Sequence, residues 1–428
     1  MPDDLRAVSQ TRGGDALLVG SIARGTRTHP AVTIALCFVV ALVEGFDIQA
    51  IGLAAPRLAP QLGLTSDAIG WIFAVSNVGL LFGAGAGGWL ADRIGRKPVL
   101  IAAVVTFGVF TLLTAVVTTF AGLCAVRLVV GIGFGAAFPN LMAIATESSC
   151  SRTQASTTAR IFCGMPIGGG LAALATQLFV MDTDWRMLFI VGGGLPLLLA
   201  PLLVVLMPET LRSDASTVRA NSPAALFAAG RGPATLLLWI ALFGTVLVVY
   251  LILNWLPTLA VAKGVERAVA PQAALAFNFA SVPGCLLFGR LVDKFDVRWP
   301  LGIAYAGLTL ALFALSEADT VGPILCLSGL VGFFLLGGNY ALYGLAPRYY
   351  EPVLRGTGSG ASVAAGRVGS ILGPLLAGWL LGSGMSAAGV VASLMPIAAV
   401  AGCAAVALSY LGRVRVVEEV DEQILCDR

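Results

Sequence analysis

The sequence predicts an all-α membrane protein with twelve transmembrane helices in two pseudo-symmetric halves of six. Three observations lead to this fold class: the composition, a series of apolar segments and an internal repeat. Of the 428 residues, 58% are apolar and only 11% are charged, whereas a soluble protein carries roughly 25% charged residues. So few charges cannot cover a soluble body of this size, which excludes a soluble enzyme. The net charge of +3 offers no basic face, so we expect no nucleic acid partner.

The apolar segments are each about 20 residues long, enough to cross about 30 Å of hydrocarbon as a helix. They are predicted at residues 31–54, 67–90, 98–119, 121–145, 158–180, 186–207, 234–257, 271–291, 299–316, 322–345, 357–381 and 388–411. The chain accordingly divides into an N-terminal tail (1–30), a first six-helix half (31–208), a linker (209–233), a second six-helix half (234–411) and a C-terminal tail (412–428).

The distribution of basic residues orients this bundle, because loops rich in Lys and Arg stay in the cytoplasm. Most of the basic residues lie in the two tails, in the linker and in the loops on the same side. The opposite side has only Arg57, Arg186, Lys263 and Arg267. Both tails and the linker are therefore predicted to be cytoplasmic.

An internal repeat supports the division into halves. Shifting the sequence by 201 residues places Pro56–Ala59 on Pro257–Ala260, Gly88–Arg93 on Gly289–Lys294, and Val130-Gly131 on Val331-Gly332. Two halves of parallel topology joined by a polar linker are typical of secondary transporters, which rock one half against the other around a midplane site.

The loop after the second segment carries the pattern Gly88-x-x-x-Asp92-Arg93-x-Gly95-Arg96-Lys97. This pattern resembles the signature of the major facilitator superfamily, and a degraded copy (Gly289, Asp293, Lys294, Arg298) stands in the matching loop of the second half. Asp92 can pair with basic groups and with the positive end of a helix dipole, which predicts a gate between the halves. The alternative is that the cations of this loop only set topology. Glu147 is either a further gate carboxylate or a solvated charge at a helix end.

Charged residues inside the apolar segments are a second candidate site, because each costs roughly 2.5–3.5 kcal/mol at the bilayer centre. With His29 as the single histidine and eight scattered cysteines, we expect no metal or cofactor, so a proton relay must use carboxylates. Glu44 and Asp47 share a helix face, and at about 1.5 Å per residue Arg127 lies at a similar depth. Two neighbouring acids can bind and release a proton. The alternative is a static ion pair between two helices.

Arg367 lies near the middle of the eleventh segment, in Gly366-Arg367-Val368-Gly369, with no acid at that depth in the second half. A guanidinium in this position can hold a carboxylate ligand by two hydrogen bonds. The alternative is an arginine that reaches toward a polar boundary or binds backbone carbonyls.

Several stretches resemble one family of the superfamily, the aromatic acid:proton symporters. Glu44-Gly45-Phe46-Asp47 is similar to its D-G-x-D motif, with Glu in place of the first Asp, a change that keeps the acid and lengthens its arm. Gly131–Asn140, Arg355–Gly358 and Gly366–Gly369 also agree with the family. The Glu, together with Trp255-Leu256-Pro257 and Val248–Tyr250, is most similar to the hydroxyphenylpropionate-transporting branch.

This resemblance implies proton-coupled import of an aromatic carboxylate across a bacterial inner membrane by a chain that functions as a monomer. Glu44 and Asp47 would carry the proton, and Arg127 and Arg367 would bind the carboxylate. The gate would come from Gly88, Asp92, Arg93, Arg96, Glu147, Asp293 and Arg355. From their position near the midplane, Phe46, Phe134, Phe138 and Tyr340 are candidates for the ring contacts, and the alternative for each is a packing role in the bundle. Two alternatives stay open. One is a proton-coupled exporter of drugs or metabolites, and the other is a membrane sensor of aromatic acids that does not transport them.

Overall fold

A computed structural model describes residues 30–147, 157, 160–179, 184–208, 226–228, 230–351 and 354–411. Twelve long helices follow one another in this part of the chain, which contains no strand. They are α1 (Pro30–Gln61), α2 (Ser66–Ile94), α3 (Arg96–Thr114), α4 (Phe120–Glu147), α5 (Gly164–Phe179), α6 (Arg186–Leu206), α7 (Gly232–Ala262), α8 (Pro271–Lys294), α9 (Arg298–Glu317), α10 (Val321–Leu345), α11 (Arg355–Gly382) and α12 (Ala387–Leu408). A 3₁₀ turn, Ala346–Tyr349, follows α10.

The twelve predicted segments are confirmed, because twelve helices are long and apolar enough to cross a membrane. The predicted ends of α1 and α7, at residues 54 and 257, were too early. Helix α1 continues through Pro56 and Pro60, and α7 continues through Pro257. Proline removes one backbone donor, but packing against neighbouring transmembrane helices allows the helix to continue. The two tails and most of the linker lie outside the described residues, so their boundaries stay predictions.

Glycine faces explain why the repeat survives in both halves. A Cβ atom at Gly83 of α2 would collide with the carbonyl oxygen of Ile132 on α4. The equivalent glycine of the second half, Gly284 on α8, packs in the same way against Phe333 on α10. Small residues allow this close approach of helix backbones in a membrane. Gly83 and Gly284 thus have a packing role in their apolar helices.

The two halves contact each other on one side of the bundle. We call the side where α1 begins and α12 ends the terminal face, and the other side the distal face. Near the distal face, a Cβ atom at Gly378 of α11 would lie only 3.2 Å from the Cα atom of Gly70 on α2. A Cβ atom at Gly52 of α1 would lie 2.7 Å from the carbonyl oxygen of Asn254 on α7. The halves are therefore in tight contact there.

Buried hydrogen bonds also join the halves. Gln49 Nε2 of α1 donates to the carbonyl oxygen of Leu253 on α7 (3.0 Å). Asn278 Nδ2 of α8 donates to Gln49 Oε1 (3.1 Å). Asn77 Nδ2 of α2 donates to the carbonyl oxygen of Ser370 on α11 (3.0 Å). These bonds connect α1 and α2 with three helices of the other half.

Toward the terminal face the halves separate. The buried residues of α1 between Leu36 and Val43 belong to a core cluster made only of first-half residues. Those from Phe46 to Leu58 share a cluster with the second half. On α11, the position of Gly360 near the terminal face has open space beside it. The conformation is therefore closed at the distal face and open toward the terminal face.

Candidate functional site

A narrow cavity lies between the halves, beneath the closed distal face. Its wall comes from α1, α2 and α4 of the first half and from α7 of the second half. The residues that line it are Ile48, Ile51, Phe73, Ser76, Asn77, Leu80, Arg127, Phe134, Tyr250 and Asn254. Half of these side chains are apolar and half are polar, so the wall offers both apolar contacts and hydrogen bonds to a small molecule.

Asp47 and Arg127 form a buried ion pair at this cavity. Arg127 Nη1 lies 3.0 Å from Asp47 Oδ2, and the two side chains are 1% and 0% exposed. Thr111 Oγ1 donates to the other carboxylate oxygen at 2.8 Å. Arg127 Nε donates to Ser76 Oγ at 3.2 Å. Helices α1, α2, α3 and α4 thus hold this pair together, and both charges have partners.

Glu44 has a different environment, one helical turn away from Asp47 on α1. Its side chain is 1% exposed. Neither of its carboxyl oxygens has a hydrogen-bond partner in the described part of the chain. Its charge interacts with that of Arg367 on α11, in the other half. Glu44 therefore interacts electrostatically with a charge of the second half, whereas Asp47 is bound by residues of the first.

Arg367 is surrounded by aromatic residues. Its Nη1 donates to Tyr250 Oη on α7 at 3.1 Å. Its guanidinium carbon lies 5.4 Å from the ring centroid of Phe138 on α4, within the range of a cation–π interaction. None of the ion pairs found among the described residues includes Arg367. Its guanidinium is thus positioned by neutral groups and lies close to Glu44.

The four predicted ring contacts differ in position. Phe134 lines the cavity and packs on Phe107, with ring centroids 4.6 Å apart. Phe138 belongs to the first half and contacts Arg367, while Tyr340 packs against the cores of both halves; neither is in the cavity wall. Phe46 points away from Arg367 toward Gly192 on α6. This position gives no support to a ring contact from Phe46, and we leave it out of the site.

The first predicted gate loop lies at the terminal face. Asp92 is exposed and Gly88 has open space beside it. The Arg93 guanidinium lies 3.9 Å from the ring centroid of Trp89. Arg96, the first residue of α3, is half-buried. This loop is thus on the side where the halves are apart.

The matching loop of the second half forms an ion pair. Asp293 Oδ1 accepts a hydrogen bond from Arg348 Nη2 at 2.6 Å, and both partners belong to the second half. The side chains of Glu147 and Arg355, at one end of α4 and α11, lie outside the described residues. The gating roles of these residues stay predictions.

The uncharged polar residues of the site were not predicted from the sequence. Tyr250 and Asn254 on α7 and Ser76 and Asn77 on α2 line the cavity. Thr111 on α3 binds Asp47. Their only signal in the sequence is a polar side chain within an apolar segment, which does not show which way the side chain points.

The comparisons with known proteins agree with this architecture. Residues 37–316 match the family model described as Major Facilitator Superfamily. The 3-(3-hydroxy-phenyl)propionate transporter of Escherichia coli is 42% identical over 374 residues, covering 87% of this chain and 92% of that protein. The 4-hydroxybenzoate transporter PcaK of Pseudomonas aeruginosa is 31% identical, covering 86% and 89%.

Solved structures support the same fold. The inward open structure of the xylose transporter XylE from E. coli superposes with a TM-score of 0.71 at 17% identity, covering 90% of this chain and 97% of that one. Together with the relatives, this likeness confirms the resemblance found in the sequence and indicates a transporter and not an enzyme. The chain belongs to the Major Facilitator Superfamily, in the group of membrane transporters that contains these two relatives.

Proposed function

We propose that this protein imports an aromatic carboxylate together with a proton across the bacterial inner membrane. The names of the relatives support the substrate class, since they are transporters of hydroxyphenylpropionate and hydroxybenzoate. The proposal places both termini in the cytoplasm, as the excess of basic residues on that side predicts. In this orientation the cavity is open to the cytoplasm and closed to the outside.

The contrast between the two arginines carries the proposal. Arg127 already has a carboxylate partner, Asp47, at 3.0 Å, so its positive charge is already neutralised before a substrate binds. Arg367 has only neutral hydrogen-bond and ring partners, Tyr250 and Phe138. A guanidinium fork held by neutral groups can bind a carboxylate through two parallel hydrogen bonds. We therefore assign the substrate carboxylate to Arg367 and a structural role to Arg127.

Glu44 is the proton carrier in this proposal. A buried carboxylate without hydrogen-bond donors is costly as an ion and much less so when it is protonated. In the empty transporter, the ionised Glu44 balances the charge of Arg367. When a substrate carboxylate binds Arg367 and neutralises its charge, Glu44 takes up a proton. In both states the site has no net charge, so the halves can move past each other without moving an unbalanced charge through the membrane.

This balance implies a stoichiometry of one proton per anion. Such a pair moves no net charge, so the membrane potential, worth about 2.3 kcal/mol per charge per 100 mV, does not drive uptake. The pH gradient alone drives it. A transport rate that follows the membrane potential would require a second proton and would contradict this part of the proposal.

Glu44→Gln tests the coupling in proteoliposomes. Gln mimics the protonated Glu44, so the loaded transporter remains neutral and exchanges labelled for unlabelled substrate. In the empty variant, no ionised acid balances the positive charge of Arg367. The empty transporter therefore returns slowly to the outward-facing conformation, so accumulation driven by a pH gradient is lost. Arg367→Ala should lose both exchange and accumulation.

The control is Glu317→Gln, because Glu317 is an exposed acid at the end of α9. It should keep both activities. Normal accumulation by Glu44→Gln would overturn the assignment of the proton carrier. Accumulation that requires an outward-directed proton gradient would point instead to an exporter.

A further inference from the structure

Two asparagines present unused hydrogen-bond acceptors in the cavity. Asn77 on α2 and Asn254 on α7 line it, although their side chains are only 5% and 3% exposed. Asn77 Nδ2 donates to the carbonyl oxygens of Phe73 (3.2 Å) and Ser370 (3.0 Å). Asn254 Nδ2 donates to the carbonyl oxygen of Tyr250 at 2.7 Å. Both amide nitrogens are therefore engaged by backbone.

These bonds determine which end of each amide faces the cavity. A carbonyl oxygen can accept only from the nitrogen end of an amide, so the oxygen end, Oδ1, is left for other partners. No described residue donates a hydrogen bond to Oδ1 of Asn77 or Asn254. Neither oxygen is among the fully enclosed atoms that lack a partner, and both residues line the cavity. Polar groups in such a place usually pair with protein or with water, so the two oxygens are available to a donor from outside the protein.

The two amides lie nearer the distal face than the residues that hold the guanidinium of Arg367. Asn254 is about 6 Å further along α7 than Tyr250, which binds Arg367. Asn77 is bonded to Ser370, which is about 4.5 Å further along α11 than Arg367. Offsets of this size are comparable with the length of an aromatic ring.

The side chains around the two amides suit an aromatic ring. Ile51, Phe73 and Phe134 are apolar members of the same wall. Arg367 is not itself in this wall, but it is bonded to Tyr250, which is. A ring with its carboxylate on Arg367 would therefore extend into the cavity, with its far edge toward the amides. A group at that edge would have to donate a hydrogen bond in order to pair with the amide oxygens.

From this arrangement we infer that Asn77 and Asn254 bind a ring hydroxyl group, so the substrate is a hydroxylated aromatic acid. The single phenolic hydrogen is shared between the two amide oxygens in a three-centre hydrogen bond, while the carboxylate binds Arg367. An analogue without the hydroxyl cannot make this bond, and a site built in this way discriminates against such an analogue. This inference rests on the proposed function and adds a specificity determinant to it.

The test compares substrates that differ by one hydroxyl. The KM for uptake is measured for 3-(3-hydroxyphenyl)propionate against 3-phenylpropionate, and for 4-hydroxybenzoate against benzoate. We expect the wild-type protein to favour a hydroxylated compound by about 10-fold or more. In Asn254→Leu this ratio should fall toward one, because the hydroxylated compound loses its acceptor while the other gains an apolar contact.

Two further variants protect the test against misfolding. Asn254→Ser keeps a short side chain that can bond the carbonyl oxygen of Tyr250, but it withdraws the acceptor from the cavity, so the ratio should also fall. Asn339→Leu is the matched control. Asn339 on α10 is also buried, but its Oδ1 is fully enclosed and outside the cavity wall, so the ratio should stay at the wild-type value.

The outcomes separate the inference from the function on which it rests. The inference is supported if the KM ratio falls toward one in the Asn254 variants while these variants still take up the unhydroxylated acid. Equal KM values in the wild-type protein, or an unchanged ratio in both Asn254 variants, would overturn it and leave the transport of aromatic acids intact. Failure of the wild-type protein to transport any of the four acids would overturn both.

Discussion

Asp47 of α1 and Arg127 of α4 are joined at 3.0 Å inside the first half, with both side chains almost completely buried. Glu44 lies one turn away on the same helix, and neither of its carboxyl oxygens has a hydrogen-bond partner among the described residues. Two acids of one short motif therefore have different physical roles. Asp47 joins helices of the first half, whereas Glu44 is the residue to which the proposed function assigns proton exchange and the balancing of the Arg367 charge.

The first prediction concerns the stability of the ion pair. Asp47→Asn leaves Arg127 buried without its counter-ion, and breaking a buried pair in this way costs about 3–5 kcal/mol. We expect a clear decrease in Tm of the purified protein in detergent. The double variant Asp47→Asn/Arg127→Gln should recover part of the loss, because it removes the unpaired charge. Equal Tm values for Asp47→Asn and the wild-type protein would show that the pair is not structural.

The second prediction concerns the geometry of the carboxylate site. Arg367→Lys keeps the charge but replaces a planar fork by a point charge. The loss of one charge-assisted hydrogen bond, worth about 1.5–3 kcal/mol, should raise the KM for the substrate by about 10- to 100-fold. Arg348→Lys is the control, because Arg348 forms an exposed ion pair with Asp293. A KM for Arg367→Lys close to the wild-type value would exclude a bidentate contact.

The third prediction concerns the closed distal face. A Cβ atom at Gly378 would lie 2.9 Å from the carbonyl oxygen of Ser66 and 3.2 Å from the Cα atom of Gly70. Gly378→Ala should therefore destabilise this conformation and increase the population that is open at the distal face. Distances between spin labels on the distal ends of the two halves would measure the change.

The control for this experiment is Gly322→Ala, because Gly322 on α10 has open space beside it. It should leave the distance distribution unchanged. If Gly378→Ala and Gly322→Ala give the same distribution, the glycine contact does not control closure.

The fourth prediction concerns the second-half copy of the gate motif. Asp293 and Arg348 are 64% and 38% exposed, and exposed ion pairs contribute at most about 1 kcal/mol. Asp293→Asn should change Tm by only a few degrees. If the pair also controls the gate, the turnover rate should decrease at an unchanged KM. A large decrease in Tm would show that the pair is mainly structural.

Much of the fold could be predicted from the sequence, and part of the site. The depths of Asp47 and Arg127 in their helices placed the two charges at one level, and the structure pairs them. Glu44 was expected to act with this pair, whereas it interacts with Arg367 of the other half and has no hydrogen-bond partner among the described residues. Tyr250, Asn77 and Asn254 were not predicted as site residues. Uncharged polar residues are tolerated in transmembrane helices, so their presence alone does not mark a site.

The sequence by itself determined the membrane class, the number of helices, the twofold repeat and the family. These features depend on apolar length, charge distribution and motif spacing, which are read along a single chain. Only the tertiary structure decided that Arg127 is paired with Asp47, that Arg367 is hydrogen-bonded to Tyr250, and that the amides of Asn77 and Asn254 line the cavity. These choices depend on how helices of different halves rotate and approach one another, and no spacing within one helix can determine that approach.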